Sequence, residues 1–239
     1  MASKRTVICN FFHLLWLIAP YIHKTIWFNF KYFPFGQARK FPVIFMSKST
    51  VKLGGKCTLK VKKTNFGMIK IGQDFDTNRP NLGVFLDIKG EIEFYGTCQL
   101  GHNCCIKVGE KGKLSFGDNF IATNGLIIYA YHKVNIGASC LIGWDSVLMD
   151  TSFHSLKTTD GKRTKGYGSI RIGDKVWIPS FCRVMAGAKI PDSIIFGSGS
   201  YIAKDYTDVP EFSLLAGTPL TIKKTGIYRD FDDDKVTYE

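Results

Sequence analysis

The feature that most constrains this chain is a period of six. Ile172, Ile178, Val184, Ile190, Phe196 and Ile202 follow one another at that interval without a slip. The slot four residues after each of the first five holds Val176, Cys182, Ala188, Ile194 and Ser200, mostly small or β-branched. An α-helix wants apolar residues three and four apart and a plain strand wants them two apart, so neither produces this pattern. A solenoid of very short strands does. Each hexad is then one flat side of a coil, the repeating residue points inward, and Gly173, Pro179, Pro191 and Gly197 just after it supply the bends. Three sides make one coil, and stacked coils bury a column of like residues.

The stretch IGDKVWIPSFCRVMAGAKIPDSIIFGSGSYIAKDY, followed by VPEFSLLAGTPLTIKK, resembles the hexapeptide-repeat acyltransferases, specifically the maltose and galactoside O-acetyltransferase type and its relatives in polysaccharide biosynthesis. The likeness is strong from Val134 to Lys224, looser from Val51 to Tyr131 and absent before that. It implies an all-β fold, a left-handed parallel β-helix, assembled as a homotrimer and using acetyl-coenzyme A as acyl donor. The periodicity itself implies the solenoid alone. The expected organisation is a basic, aromatic-rich helical segment over 1–45, the β-helix acyltransferase domain over 46–224 and an acidic tail over 225–239.

Charge is unevenly placed. The net charge is +12, yet no acidic residue precedes Asp74, and the first 73 residues carry thirteen lysines and arginines. A segment of this kind seeks a polyanion: nucleic acid, an anionic membrane surface or an anionic saccharide. No nucleic-acid module is recognisable in it, so nucleic acid is not an expected partner. The seven cysteines are odd in number and lack a CxxC spacing, which argues against a disulfide framework or a zinc ribbon and for apolar fillers in a reducing, cytoplasmic setting.

The apolar run from Phe11 to Ile22 is interrupted by His13 and Pro20 and is too short to span a bilayer, and it lacks a convincing signal cleavage site. Two helices hinged near Pro20 are expected instead. Trp16, Trp27, Phe28 and Tyr32 suit a membrane interface, and Lys24, Lys31, Arg39 and Lys40 suit its phosphates at the inner face. The competing expectation is that the helices cap the end of the solenoid, as repeat folds require. Short strands are expected from Phe41 to Ile71, a loop from Asp74 to Leu86, and a register shifted by two residues between Ile106 and Val108. From Asp150 to Ser169 the register is suspended for a polar excursion, and such loops on rigid scaffolds carry function.

Acyl transfer from a thioester to a hydroxyl needs a base, and histidine is the usual one because it titrates near neutral pH. The resemblance assigns that role to His154 in a D-x-x-x-H motif, with Asp150 as a candidate to orient the imidazole. It also implies that Asn124 contacts the acceptor, with Trp144 and Asp145 on the following coil as further substrate candidates. For coenzyme A it points to Trp177, Ser180, Ser198, Ala203, Lys204 and Lys224. The chain departs from the family pattern at Pro179, where glycine is usual, and at Leu220 to Ile222, where a basic residue is common.

The function expected from this is acetyl-coenzyme A dependent O-acetylation of a sugar or a glycan, lipid-linked ones included. The alternatives are N-acetylation of an amino sugar and a non-catalytic solenoid that presents a binding surface. No metal is expected: a zinc site on such a solenoid wants three histidines, and His102, His132 and His154 lack close paired spacing.

Overall fold

The computed structural model describes residues 18–75, 79–230 and 233. Its strands form a three-sided prism of parallel sheets. The first sheet has nine strands, beginning with Val43–Phe45, Ile69–Gln73 and Cys98–Gly101. The second has seven, from Ser49–Leu53 to Tyr201–Ile202, and the third six, from Lys56–Leu59 to Lys189–Ile190. Successive strands visit the three sheets in turn, so each coil contributes one strand to each side.

Register makes the core. On the first side Ile71, Leu100, Ala122, Ile142 and Ile178 stack on one another; on the second Leu86, Ile106, Ile128, Leu148, Val184 and Ile202 do so; on the third Phe94, Phe116, Ile136, Ile172 and Ile190. All of these are buried. The slot two residues before each of the period-six residues is buried as well: Val176, Cys182, Ala188, Ile194 and Ser200 also point into the prism. In the last coils Arg171 pairs with Lys189 and Trp177 with Ile195, eighteen residues on, the length of three hexads. The earlier coils are longer: Ile106 pairs with Ile128 and Phe116 with Ile136, the extra residues being taken up at corners such as 109–112.

The corner between the third and first sheets shows how closely coils approach. Asp118 Oδ1 accepts the N–H of Thr97 at 2.6 Å, Asp174 Oδ1 that of Ala138 at 2.7 Å and Asp192 Oδ1 that of Asp174 at 2.8 Å. Each carboxylate thus ties its coil to the one before it, and the amide bond to Thr97 is the main reason the Asp118 carboxyl is held below the ordinary carboxylate range. A Cβ on Gly137 would collide with Asp174 Oδ1 and the Gly173 carbonyl, which is why that corner needs glycine.

The N-terminal end is closed by a helix. A 3-10 turn, Ala19–Tyr21, places Pro20 where no amide hydrogen is required and leads into α1, Ile22–Tyr32. Phe33, extended because Pro34 follows, ends it. A four-residue helix, Phe35–Ala38, brings the chain to the first strand. Asn29 acts as a strand would: Oδ1 accepts the Val43 N–H at 3.1 Å and Nδ2 donates to the Val43 carbonyl at 2.7 Å. Thr25 Oγ1 accepts the Phe45 N–H at 3.1 Å, and the Phe28 ring packs 5.5 Å from that of Phe45. The helix therefore caps the first coil. The helix expected before Pro20, with Trp16, lies outside the described residues. The loop expected from Asp74 to Leu86 stops earlier, because Val84–Ile88 is a strand paired along its length with Ser49–Leu53.

At the other end Ser213–Ala216 continues the first sheet, and Thr221–Thr225 turns back antiparallel against it. The start of the tail folds back too: the Arg229 guanidinium lies 5.0 Å over the Trp177 ring.

Candidate active site

The longest excursion among the described residues leaves the fifth coil between Val147–Met149 and Ile170–Ile172. Val134 pairs with Ile170 across thirty-six residues, twice the regular coil. The excursion is a twisted hairpin, with antiparallel bridges from Thr151 to Tyr167 and from Lys157 to Arg163. Ser152 N donates to the Gly166 carbonyl at 2.9 Å and Thr164 N to the Leu156 carbonyl at 2.8 Å. His154 stands near its base, exposed, with its carbonyl accepting the Ser152 hydroxyl at 2.7 Å. The preceding residue, Phe153, takes a left-handed backbone (φ 61°), and its ring packs edge-on to Tyr131 at 4.8 Å and Tyr129 at 5.9 Å. On the other limb Tyr167 lies 4.8 Å from the His132 ring. Aromatic contacts to the fourth coil thus hold the loop that carries His154.

Asp150 is fully buried, and its carboxylate is spoken for: Oδ1 accepts the Tyr131 N–H and Oδ2 the His132 N–H, both at 2.8 Å. No hydrogen bond joins Asp150 to His154. Its geometry is that of a corner clamp holding the fourth coil's turn to the start of the excursion.

The register carries this corner upward to the Ala203–Lys204 positions, two coils above Asp150. There Tyr201, Ala203, Lys204, Tyr206, Pro219 and Leu220 line a groove of about 450 Å³. Its walls are apolar and a lysine stands at its rim, which suits a slender arm ending in phosphates.

The other candidates lie elsewhere. Asn124, Trp144, Ser180 and Ser198 each stand two residues past an inward residue of the first sheet, so they stack in one column at the corner between the first and second sheets. Trp144 N donates to Ser180 Oγ at 3.1 Å. Asn124 is buried, and neither atom of its amide has a partner. Trp177 and Lys224 lie on the outward side of the first sheet, in register with Ile195 and Leu214. Within one chain, then, His154, Ala203 and Lys204 share one corner, and Asn124, Trp144, Asp145, Ser180 and Ser198 share the next.

No family model matches the chain. Galactoside O-acetyltransferase of Escherichia coli (strain K12) is 31% identical over 128 residues, covering 52% of this chain and 61% of that protein. The galactoside O-acetyltransferase of Lactococcus lactis subsp. lactis (strain IL1403) is 26% identical over 148 residues, 59% of this chain and 67% of its own length. Among solved structures, the polySia specific acetyltransferase NeuO matches with a TM-score of 0.61 at 20% identity, covering 78% of this chain and 81% of that one. The chain is similar to these acetyltransferases over part of its length. It spans about two thirds of the length of the galactoside O-acetyltransferases it matches, and its fold is the left-handed β-helix of that group.

The site also has features that residue patterns did not reveal. Arg79 NH1 lies 2.9 Å from Asp145 Oδ2, and its guanidinium sits 5.2 Å over the Trp144 ring, so a residue of the loop just before Val84–Ile88 roofs the Asn124 corner. No register reaches that loop, and nothing in the sequence pointed to it. His102 occupies the same slot one coil below Asn124 and is fully buried. Its Nδ1 is 3.3 Å from Asp74 Oδ1, ion-pairing distance without hydrogen-bond alignment. It stands twenty-two residues before Asn124 rather than eighteen, so counting hexads back from Asn124 does not reach it.

Proposed function

We propose that this protein is an acetyl-coenzyme A dependent O-acetyltransferase that esterifies a hydroxyl of a sugar or glycan, with His154 as general base. The observation that carries the reading is that the excursion bearing His154 leaves the same corner of the prism that ends, two coils on, in the Ala203–Lys204 groove. Acetyl-coenzyme A supplies an activated thioester carbonyl when bound. Tyr201, Ala203, Pro219 and Leu220 would flank its arm, and Lys204 would face its phosphates. His154 Nδ1 or Nε2 takes the proton of the acceptor hydroxyl as the new C–O bond forms, and returns it to the sulfur as the C–S bond breaks, which balances the transfer.

A second copy of the chain completes the site in this reading. The acceptor candidates sit one corner away from His154, so the two groups face each other only if the Asn124 corner of one copy stands beside the His154 corner of another. The outward surfaces support such packing. The first sheet presents Ile121, Leu141, Trp177 and Leu214, and the second Cys105, Ile127, Val147, Met149 and Met185, all half-buried. The third presents ion pairs instead, Lys56 with Glu91 at 3.2 Å and Lys60 with Glu93 at 3.6 Å. Parallel sheets with apolar outer faces are covered in stable assemblies. The expected assembly is a homotrimer. Between copies, Asn124 would gain partners for its orphaned amide from the acceptor.

The test is release of free thiol from acetyl-coenzyme A with a panel of sugars and amino sugars, on the native chain and on His154→Ala. Acceptor-dependent release that falls by at least ~100-fold in the variant is the expected result. Release with amino sugars alone would move the reading to N-acetylation. Failure to bind acetyl-coenzyme A would leave a non-catalytic solenoid.

A further inference from the structure

The helix that caps the solenoid is inside out. Its buried side carries Thr25, Phe28 and Asn29, while its outward side carries Ile22, Ile26 and Phe30, four residues apart, with Trp27 beside them. A helix at a protein–water boundary ordinarily does the opposite. Phe35, 71% exposed, extends the patch, its ring 6.2 Å from that of Phe30. Cations border it: Lys31 Nζ lies 5.1 Å over the Trp27 ring, and Arg39 and Lys40 are exposed just past the second helix. No acidic residue occurs in the first 73 positions, so nothing in this segment offsets them.

We propose that this patch docks on the surface of an anionic lipid bilayer. Ile22, Ile26, Trp27, Phe30 and Phe35 enter the headgroup region, and Lys31, Arg39 and Lys40 pair with lipid phosphates. Aromatic and aliphatic side chains ringed by cations are what such an interface selects. Charge favours lipid over a second copy, since two copies joined patch to patch would bring like-charged rims together. The contact as proposed is peripheral, and among the described residues no helix is long and apolar enough to cross a membrane. It is also separate from acetyl transfer. The helix covers the first coil and His154 leaves the fifth, four strand spacings or about 20 Å away.

The test is co-sedimentation of the full chain with vesicles of phosphatidylcholine alone and of an equimolar mixture of phosphatidylcholine and phosphatidylglycerol. Binding is expected to the mixed vesicles, to weaken with salt, and to be slight on the neutral ones. Replacing the cations together, Lys31→Gln, Arg39→Gln and Lys40→Gln, should lower partitioning by on the order of 100-fold, about fivefold for each. The double variant Trp27→Ser, Phe30→Ser should abolish it, with circular dichroism and thiol release unchanged to show that the fold stands. Equal binding to both vesicle types, binding to neither, or undiminished binding by the Trp27→Ser, Phe30→Ser chain would overturn the proposal. So would a dimer that the same double variant disperses in the absence of vesicle binding, which would assign the patch to a second copy.

Discussion

Asp150 shows how far a motif and a geometry can part. In D-x-x-x-H it stands four residues before His154, close enough to suggest a partner for the imidazole, yet both its oxygens accept backbone amides of the preceding coil. Spacing along the chain carried no information on this, because the amides that claim the carboxylate come from residues nearly twenty positions earlier. Asp150→Asn should therefore act on stability first: an amide nitrogen must face an N–H where an oxygen stood, at a cost of about 1–3 kcal/mol. Urea denaturation measures this, and thiol release at saturating substrate should fall little while the chain remains folded. A large fall in turnover with unchanged stability would restore an orienting role. His154 stands at the base of the excursion, where the period of six is interrupted.

At the scale of elements, the cap is a helix doing the work of a strand. The first strand of a solenoid leaves one row of amides and carbonyls without a neighbour, an edge that natural sheets cover. Asn29 meets both groups of Val43 and Thr25 meets the amide of Phe45. Asn29→Ala should expose both Val43 groups at a buried position and destabilise the chain by roughly 2–4 kcal/mol, with Thr25→Ala costing about half as much. Hydrogen exchange at Val43 and Phe45 should rise in the same variants while exchange at Ile178 and Ile202 stays protected, since coils contact only their neighbours. The period-four apolar line Ile22, Ile26 and Phe30 is visible in the sequence as an amphipathic signal, but its direction is not. The face with Thr25, Phe28 and Asn29 is the less apolar of the two, and it turns inward because Phe28 packs on Phe45 and the two polar side chains meet the edge of the first strand.

At the scale of the whole molecule, the three sides of the prism are chemically unequal: the first two set half-buried apolar residues such as Leu141 and Val147 among their outward positions, and the third is laced with ion pairs. This asymmetry predicts that the chain associates through the first two. Sedimentation equilibrium should give three times the chain mass, and Leu141→Glu, which sets a charge on the outward side of the first sheet, should yield a folded monomer that has lost thiol release. A monomeric native chain with full activity would show that one copy holds a complete site.

What the sequence determined by itself is whatever the period of six repeats: the inward columns, the closely spaced corners of the last coils and the place where the solenoid opens for His154. Each of these follows from local spacing, because the last coils meet at a fixed interval of eighteen residues. The tertiary structure alone decided what depends on the irregular lengths between hexads. It set Arg79, from a loop with no register, over Trp144 and Asp145. It closed Asp150 against the backbone and put the acceptor candidates one corner away from His154. The physical reason is the same in each case. A repeat specifies which face a residue points to, but which residues then meet across coils is set by how many residues the intervening corners and loops consume.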